Sequence, residues 1–244
     1  MAITLRAAGA WASGSTSIAP ALPAGIAAGD IMILFVGCKP YTATINVPAG
    51  WTLIEGTDGA NGTTASSIDL GSVLWKAMYR SWVSGDAAPT VSITSGNVSL
   101  GVIHGFLPTS GSKFHIPVGA KGSDTSSGVA LLLTMDVDFG IDAGDMLVNG
   151  AVIAGNDAIF SLPTITAAGA TFSAATESPA TEGTTTTGND LEASAFWATC
   201  STGPSIAAAV AGWTLSAVQT GGGSLVRIRE YIPNKMLTLL GTGS

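Results

Sequence analysis

Charge is what this sequence has least of. Lys, Arg, Asp and Glu together make up 10% of 244 residues, against about 25% in ordinary soluble domains. Nine basic residues are scattered with no basic run, and the net charge is −7. A nucleic-acid binder displaces counterions with clustered Lys and Arg. The nearest approach to a cluster, Arg227 and Arg229, is too small for that. Two cysteines, Cys38 and Cys200, do not make a disulfide framework. Both lie in apolar stretches and are expected as buried thiols, with a pairing across a sandwich left open. Two histidines, His104 and His115, leave little material for a His-based metal site or triad, and ordinary strand or loop positions are expected for them. The strongest apolar runs, at 31–38 and 129–133, fall far short of the roughly 18 residues of a spanning helix. The N-terminus lacks a basic-then-apolar signal layout. A whole translated chain made in a cytoplasm, without membrane insertion, is the expectation.

Apolar residues nevertheless reach 46% and the mean hydropathy is +0.46. A hydrophobic, weakly charged chain with no membrane segment is expected to bury part of its surface against other subunits, since interface cores are depleted of charge.

The patterning is that of strands. Apolar residues recur with period two, turn residues punctuate the gaps, and no amphipathic helix stands out. Residues 31–38 are apolar on both faces and predict a central strand. Over 73–83, Val73, Trp75, Ala77, Tyr79 and Val83 share one face, and Lys76, Arg80 and Trp82 the other. Val91 and Ile93 alternate with Thr90, Ser92 and Thr94. Further strands are predicted at 129–137 and 146–154, both buried, and at 193–200 and 225–232. The segment 174–190, rich in Thr, Gly, Glu and Ala, predicts a surface loop or extended arm. The fold class that results is all-β, a jelly-roll-like antiparallel sandwich.

Two internal echoes occur. Gly25-Ile-Ala-Ala-Gly-Asp-Ile-Met returns as Gly140-Ile-Asp-Ala-Gly-Asp-Met-Leu, and Ala49-Gly-Trp-Thr-Leu53 returns as Ala211-Gly-Trp-Thr-Leu215. Their spacings differ, which excludes a clean tandem repeat. A single domain over 1–244 is expected, one jelly roll with pseudo-repeated halves at about 1–120 and 121–244.

No nucleophile elbow, zinc-protease motif, phosphate loop or dinucleotide fingerprint is present. Gly221-Gly-Gly223 predicts a flexible turn, since no lysine and helix start follow it. Asp136, Asp138, Asp142 and Asp145 are the densest acidic group and are weak calcium candidates. They match no EF-hand spacing, and a hydrolytic carboxylate pair is the weaker reading of them. Trp51 and Trp213 are expected as core plugs in repeated turns. Trp82, on the Lys76 and Arg80 face, is out of place in water. Lys76, Arg80 and Trp82 are therefore the candidates for a subunit interface or, less favoured, a glycan contact.

The segments Ala19-Pro-Ala-Leu-Pro, Gly29-Asp30-Ile-Met-Ile-Leu-Phe-Val36, Pro48-Ala-Gly-Trp-Thr-Leu-Ile54 and Leu74-Trp-Lys-Ala-Met-Tyr79 resemble a bacteriophage virion β-sandwich module common among minor tail proteins. In that pattern a Gly-Asp turn opens a hydrophobic strand, a Pro-x-Gly-Trp-Thr turn follows, and then comes a strand carrying an aromatic residue. Gly144-Asp145 and Gly212-Trp213-Thr214 look like its continuation. The resemblance implies a non-enzymatic virion protein without cofactors, assembled in the host cytoplasm. It would be tail-associated at the tip or fibre, with a host-surface glycan as a potential receptor. Its partners would be other virion proteins and copies of itself, a trimer preferred because phage adhesins and spikes are often threefold. A head decoration or head-spike protein is the alternative, and a stand-alone carbohydrate-binding module a further one.

Overall fold

The computed structural model describes residues 3–54, 57, 60–62, 73–135, 139–155, 163–183, 191–204 and 208–233. The first half contributes β1 (Thr4–Ala8), β2 (Ala12–Gly14), β3 (Ser17–Ile18), β4 (Ile31–Lys39), β5 (Thr44–Ile45), β6 (Thr52–Leu53), β7 (Ala60–Gly62), β8 (Val73–Ser81), β9 (Val91–Thr94) and β10 (Val98–Leu107). A connecting strand, β11 (Lys113–Phe114), leads to β12 (Val118–Met135), β13 (Met146–Ile153), β14 (Thr164–Ala167), β15 (Thr171–Phe172), β16 (Thr176–Gly183), β17 (Leu191–Thr202), β18 (Ala209–Ile228) and β19 (Glu230–Tyr231). Among the described residues there is no helix, and every strand pairing is antiparallel. The fold is an all-β sandwich.

The larger sheet of the first half runs β1-β10-β4-β8-β6, and a small sheet runs β3-β9-β5. The sheet of the second half runs β12-β18-β13-β17-β15. Its two long strands serve two layers. Residues 118–124 of β12 pair with 221–227 of β18, next to β13, whereas 130–135 pair with 209–214, next to β14. The far half of this ribbon folds back over the near half: a Cβ placed on Gly122 would lie 3.1 Å from Met135 Cγ and 3.2 Å from Leu133 Cβ. The outer layer β12-β18-β14 thus repeats β3-β9-β5, and the inner order β12-β18-β13-β17 repeats β1-β10-β4-β8. Take β1, β3, β4, β5, β6, β8, β9 and β10 as first to eighth. One layer then holds the first, eighth, third and sixth strands and the other the second, seventh and fourth, which is the jelly-roll order apart from the short fifth strand, paired here with the sixth. The second half has the same arrangement when β12 and β18 are each counted once in each layer.

Three cores follow from these layers. The central one lies between the two inner sheets and joins Ile31, Ile33, Phe35, Trp75, Val102 and Phe106 to Met146, Val148, Val152, Ala193, Val226 and Ile228. Inside the first roll, Met32, Leu34, Val36 and Cys38 on the other face of β4 meet Ile18, Ile45, Val91 and Ile93. Inside the second roll, Leu147, Ala151 and Ile153 of β13 meet Leu131, Leu133, Phe196 and Trp213. β4 and β13 are each sandwiched between two cores. That is the physical reason their sequences are apolar without alternation.

Several local expectations are corrected. Gly221-Gly-Gly223 is no turn but lies within β18, where the folded ribbon comes so close that side chains have no room. A Cβ on Gly221 would stand 2.9 Å from Leu131 Cδ1, and one on Gly223 2.6 Å from Leu133 Cδ1. The strand at 129–135 alternates instead of being buried on both faces: Leu131 and Leu133 are buried, and Val129 and Leu132 are exposed. Part of 174–190 is strand β16, paired with β17, while 184–190 fall outside the described residues. Trp213 is a buried core residue, but it sits within β18 and not in a turn like Trp51. Cys38 and Cys200 are free thiols in different cores, separated by both inner sheets, so no bond joins them.

Candidate functional site

β8 sorts its side chains as the alternation predicts. Val73, Trp75 and Ala77 enter the central core, and Leu74 and Met78 enter the core of the first roll. Lys76 and Arg80 are half-buried on that second side. Trp82 lies just past the end of β8. Its amide donates to the Asp30 carbonyl at 2.9 Å, and its ring packs on the core of the first roll while staying partly exposed.

Arg80 points to a different feature. Its guanidinium pairs with Asp86, whose other carboxylate oxygen accepts the Val83 amide at 3.0 Å. Gly50, at φ +78°, lies directly beneath the guanidinium, where any Cβ would collide with it. Gly50 also turns the chain so that Trp51, whose amide bonds the Pro48 carbonyl at 3.1 Å, plugs the first roll. Pro48, Ala49, Trp51, Arg80, Asp86 and Pro89 line a shallow groove of about 420 Å³. Asp86 was not among the residues the sequence singled out. The Gly85-Asp86 turn signal after Trp82 was the clue to it.

The acidic candidates divide. Asp136 and Asp138 lie outside the described residues. Asp142 and Asp145 converge on Arg229, whose Nη2 is 2.6 Å from a carboxylate oxygen of each. Arg229 Nε donates to Asp145 Oδ1 at 2.7 Å. Hydrogen bonding to Asp145 is the main reason the Arg229 pKa is raised above its ordinary value. The guanidinium thus supplies the positive charge that a bound calcium would bring, and among the described residues no group of three or more His, Cys, Asp or Glu side chains is placed to hold a metal.

The two Gly-Asp turns are built alike. Asp30 closes its turn by donating its amide to Ala27 O at 3.0 Å and accepting the Ala27 amide at 2.8 Å. Asp145 does the same with Asp142, at 3.1 and 2.7 Å. Gly29 and Gly144 take φ +94° and +96°, a conformation that favours glycine. Each buried carboxylate is gripped by a two-pronged arginine, Arg6 for Asp30 and Arg229 for Asp145. These are structural clamps.

Burial pushes the Cys38 thiol up to about 12, so it stays protonated at neutral pH. Burial likewise raises the Cys200 thiol. His104 lies on β10, fully buried, and neither ring nitrogen has a hydrogen-bond partner among the described residues. His115 rests against Tyr231, ring centroids 4.7 Å apart. Comparison of the chain with family models, with curated proteins and with solved structures found no match.

Proposed function

We propose that the protein is a non-enzymatic structural component of a bacteriophage virion, carried on the tail at its tip or fibre. One observation carries the reading. The residues of the phage-like pattern all have building roles: Gly29-Asp30 and Gly144-Asp145 open the central strands of the two rolls, and Trp51 plugs the first. Such motifs build a stiff body. The ion pairs Arg6–Asp30, Arg80–Asp86 and Arg229–Asp145 each close within one half, which leaves the surface poor in free charge and suited to packing in an assembly. Neighbouring virion proteins and further copies of the chain, three in the preferred arrangement, are the partners in this reading. The Trp51, Arg80 and Asp86 groove is the place for a host-surface glycan.

Mass spectrometry of gradient-purified particles, with gold labelling of the protein, tests the proposal. The expected result is a stoichiometric virion protein labelled at the tail. Label on the head would move it to the decoration alternative, and absence from particles would overturn the virion reading. A glycan array with the Arg80→Ala variant as control tests the groove separately.

A further inference from the structure

The two halves meet through positions that are equivalent in their rolls, and there bulk on one side faces its absence on the other. In the first inner sheet Phe35 stands between Ala77 of β8 and Val102 of β10. In the second, Gly150 stands between Ala195 of β17 and Ser224 of β18. Each is the fifth residue of the strand that its Gly-Asp turn opens, so Phe35 and Gly150 are counterparts. Two residues on, Gly37 and Val152 are counterparts as well. By the same registers Trp75 corresponds to Ala193.

These counterparts touch each other. A Cβ on Gly150 would lie 3.1 Å from Phe35 Cδ1 and would overlap the Trp75 ring. A Cβ on Gly37 would lie 2.9 Å from Val152 Cγ2. A position meets its own counterpart only close to a twofold axis relating the two bodies, as in an isologous dimer. The contact is nevertheless not self-matching. Phe35 and Trp75, stacked with centroids 5.4 Å apart, fill the space left by Gly150 and Ala193, and Trp75 Nε1 donates across the core to Ser224 Oγ at 2.9 Å. In the other direction Val152 fills the space left by Gly37.

We infer that the chain is a fused dimer of one jelly roll whose shared face has become a one-way match: the first roll's face fits the second roll and not a copy of itself. Two first rolls would drive Phe35 onto Phe35 and Trp75 into the same space. Two second rolls would set Gly150 opposite Gly150 beside Ala193 and leave a void. Both arrangements are unfavourable in a close-packed core.

The test uses the full chain with a protease site inserted after Gly111, in the exposed turn that the Ser112 amide closes onto the Thr109 carbonyl. The folded protein is cut and weighed by native mass spectrometry. The inference requires one 1:1 complex of the two fragments, still 1:1 after dilution. Separation of the fragments, or homodimers of either, overturns it. A double-mutant cycle in the uncut chain is independent of the insertion. Gly37→Ala, whose methyl would meet Val152 Cγ2 at 2.9 Å and Val152 Cβ at 3.0 Å, lowers Tm in the parent and lowers it by less on a Val152→Gly background. Equal losses on both backgrounds would show that positions 37 and 152 are not matched partners and would overturn the inference equally.

Discussion

At the scale of single residues, the central core concentrates the consequences. Phe35 is fully buried among residues of both inner sheets. Phe35→Ala removes its ring contacts and leaves a cavity, a loss of roughly 3–5 kcal/mol. Chemical denaturation measures it, and a loss below about 1 kcal/mol would contradict the packing. His104 carries a separate expectation. It packs near Phe35, Phe106 and Trp197, and burial holds its pKa down from 6.5 to about 4. The unfolded chain therefore takes up the proton first as pH falls. Stability contributed by the neutral ring is complete above pH 6.5 and is lost as pH drops toward 4, about 3 kcal/mol in all. His104→Leu removes that slope and also removes two unpaired nitrogens, so Tm at pH 7 holds or rises. Parent and variant curves of the same steepness between pH 7 and pH 4 would show that His104 is not the group responsible. Phe35 was legible in the sequence because its whole strand is apolar. The burial of His104 was not, because a polar ring enters this core without a partner that a motif could reveal.

At the scale of elements, the Gly-Asp turns and the folded ribbon organise the rolls. Asp30→Ala and Asp145→Ala each break a clamp whose carboxylate is buried and whose arginine is partly exposed. The expected loss is roughly 2–3 kcal/mol. Asp30→Asn, which keeps an oxygen for the Ala27 amide, loses less. Equal losses for the Ala and Asn variants in denaturant titrations would show that the turn bond contributes nothing. The turns were readable because a glycine at positive φ followed by an acceptor that closes the turn leaves a local signature. The ribbon was not. Over β18 a single strand of 20 residues passes from the outer layer to the inner one, and Gly221-Gly-Gly223 is where the two layers come into contact. Glycine at a turn and glycine under a close crossing look the same in a sequence. Gly223→Ala tests the crossing: its methyl would meet the Gly150 carbonyl oxygen, 2.3 Å away, as well as Leu133 Cδ1, and it lowers Tm.

At the scale of the whole molecule, the central core belongs to both rolls, so neither has a complete hydrophobic interior without the other. Calorimetry is expected to show one cooperative transition, with calorimetric and van't Hoff enthalpies equal. Two separated transitions would mean that the rolls are stable independently. The proposed role adds a second requirement at this scale. In that proposal, neighbours in an assembly cover the uncharged faces of a body this poor in charge. The measurement that bears on this most directly is an averaged cryo-electron microscopy map of the purified particle. The account predicts density for the paired rolls on the tail, in copies related by threefold symmetry and touching their neighbours. A complete map of the particle with no density that fits the paired rolls would contradict it.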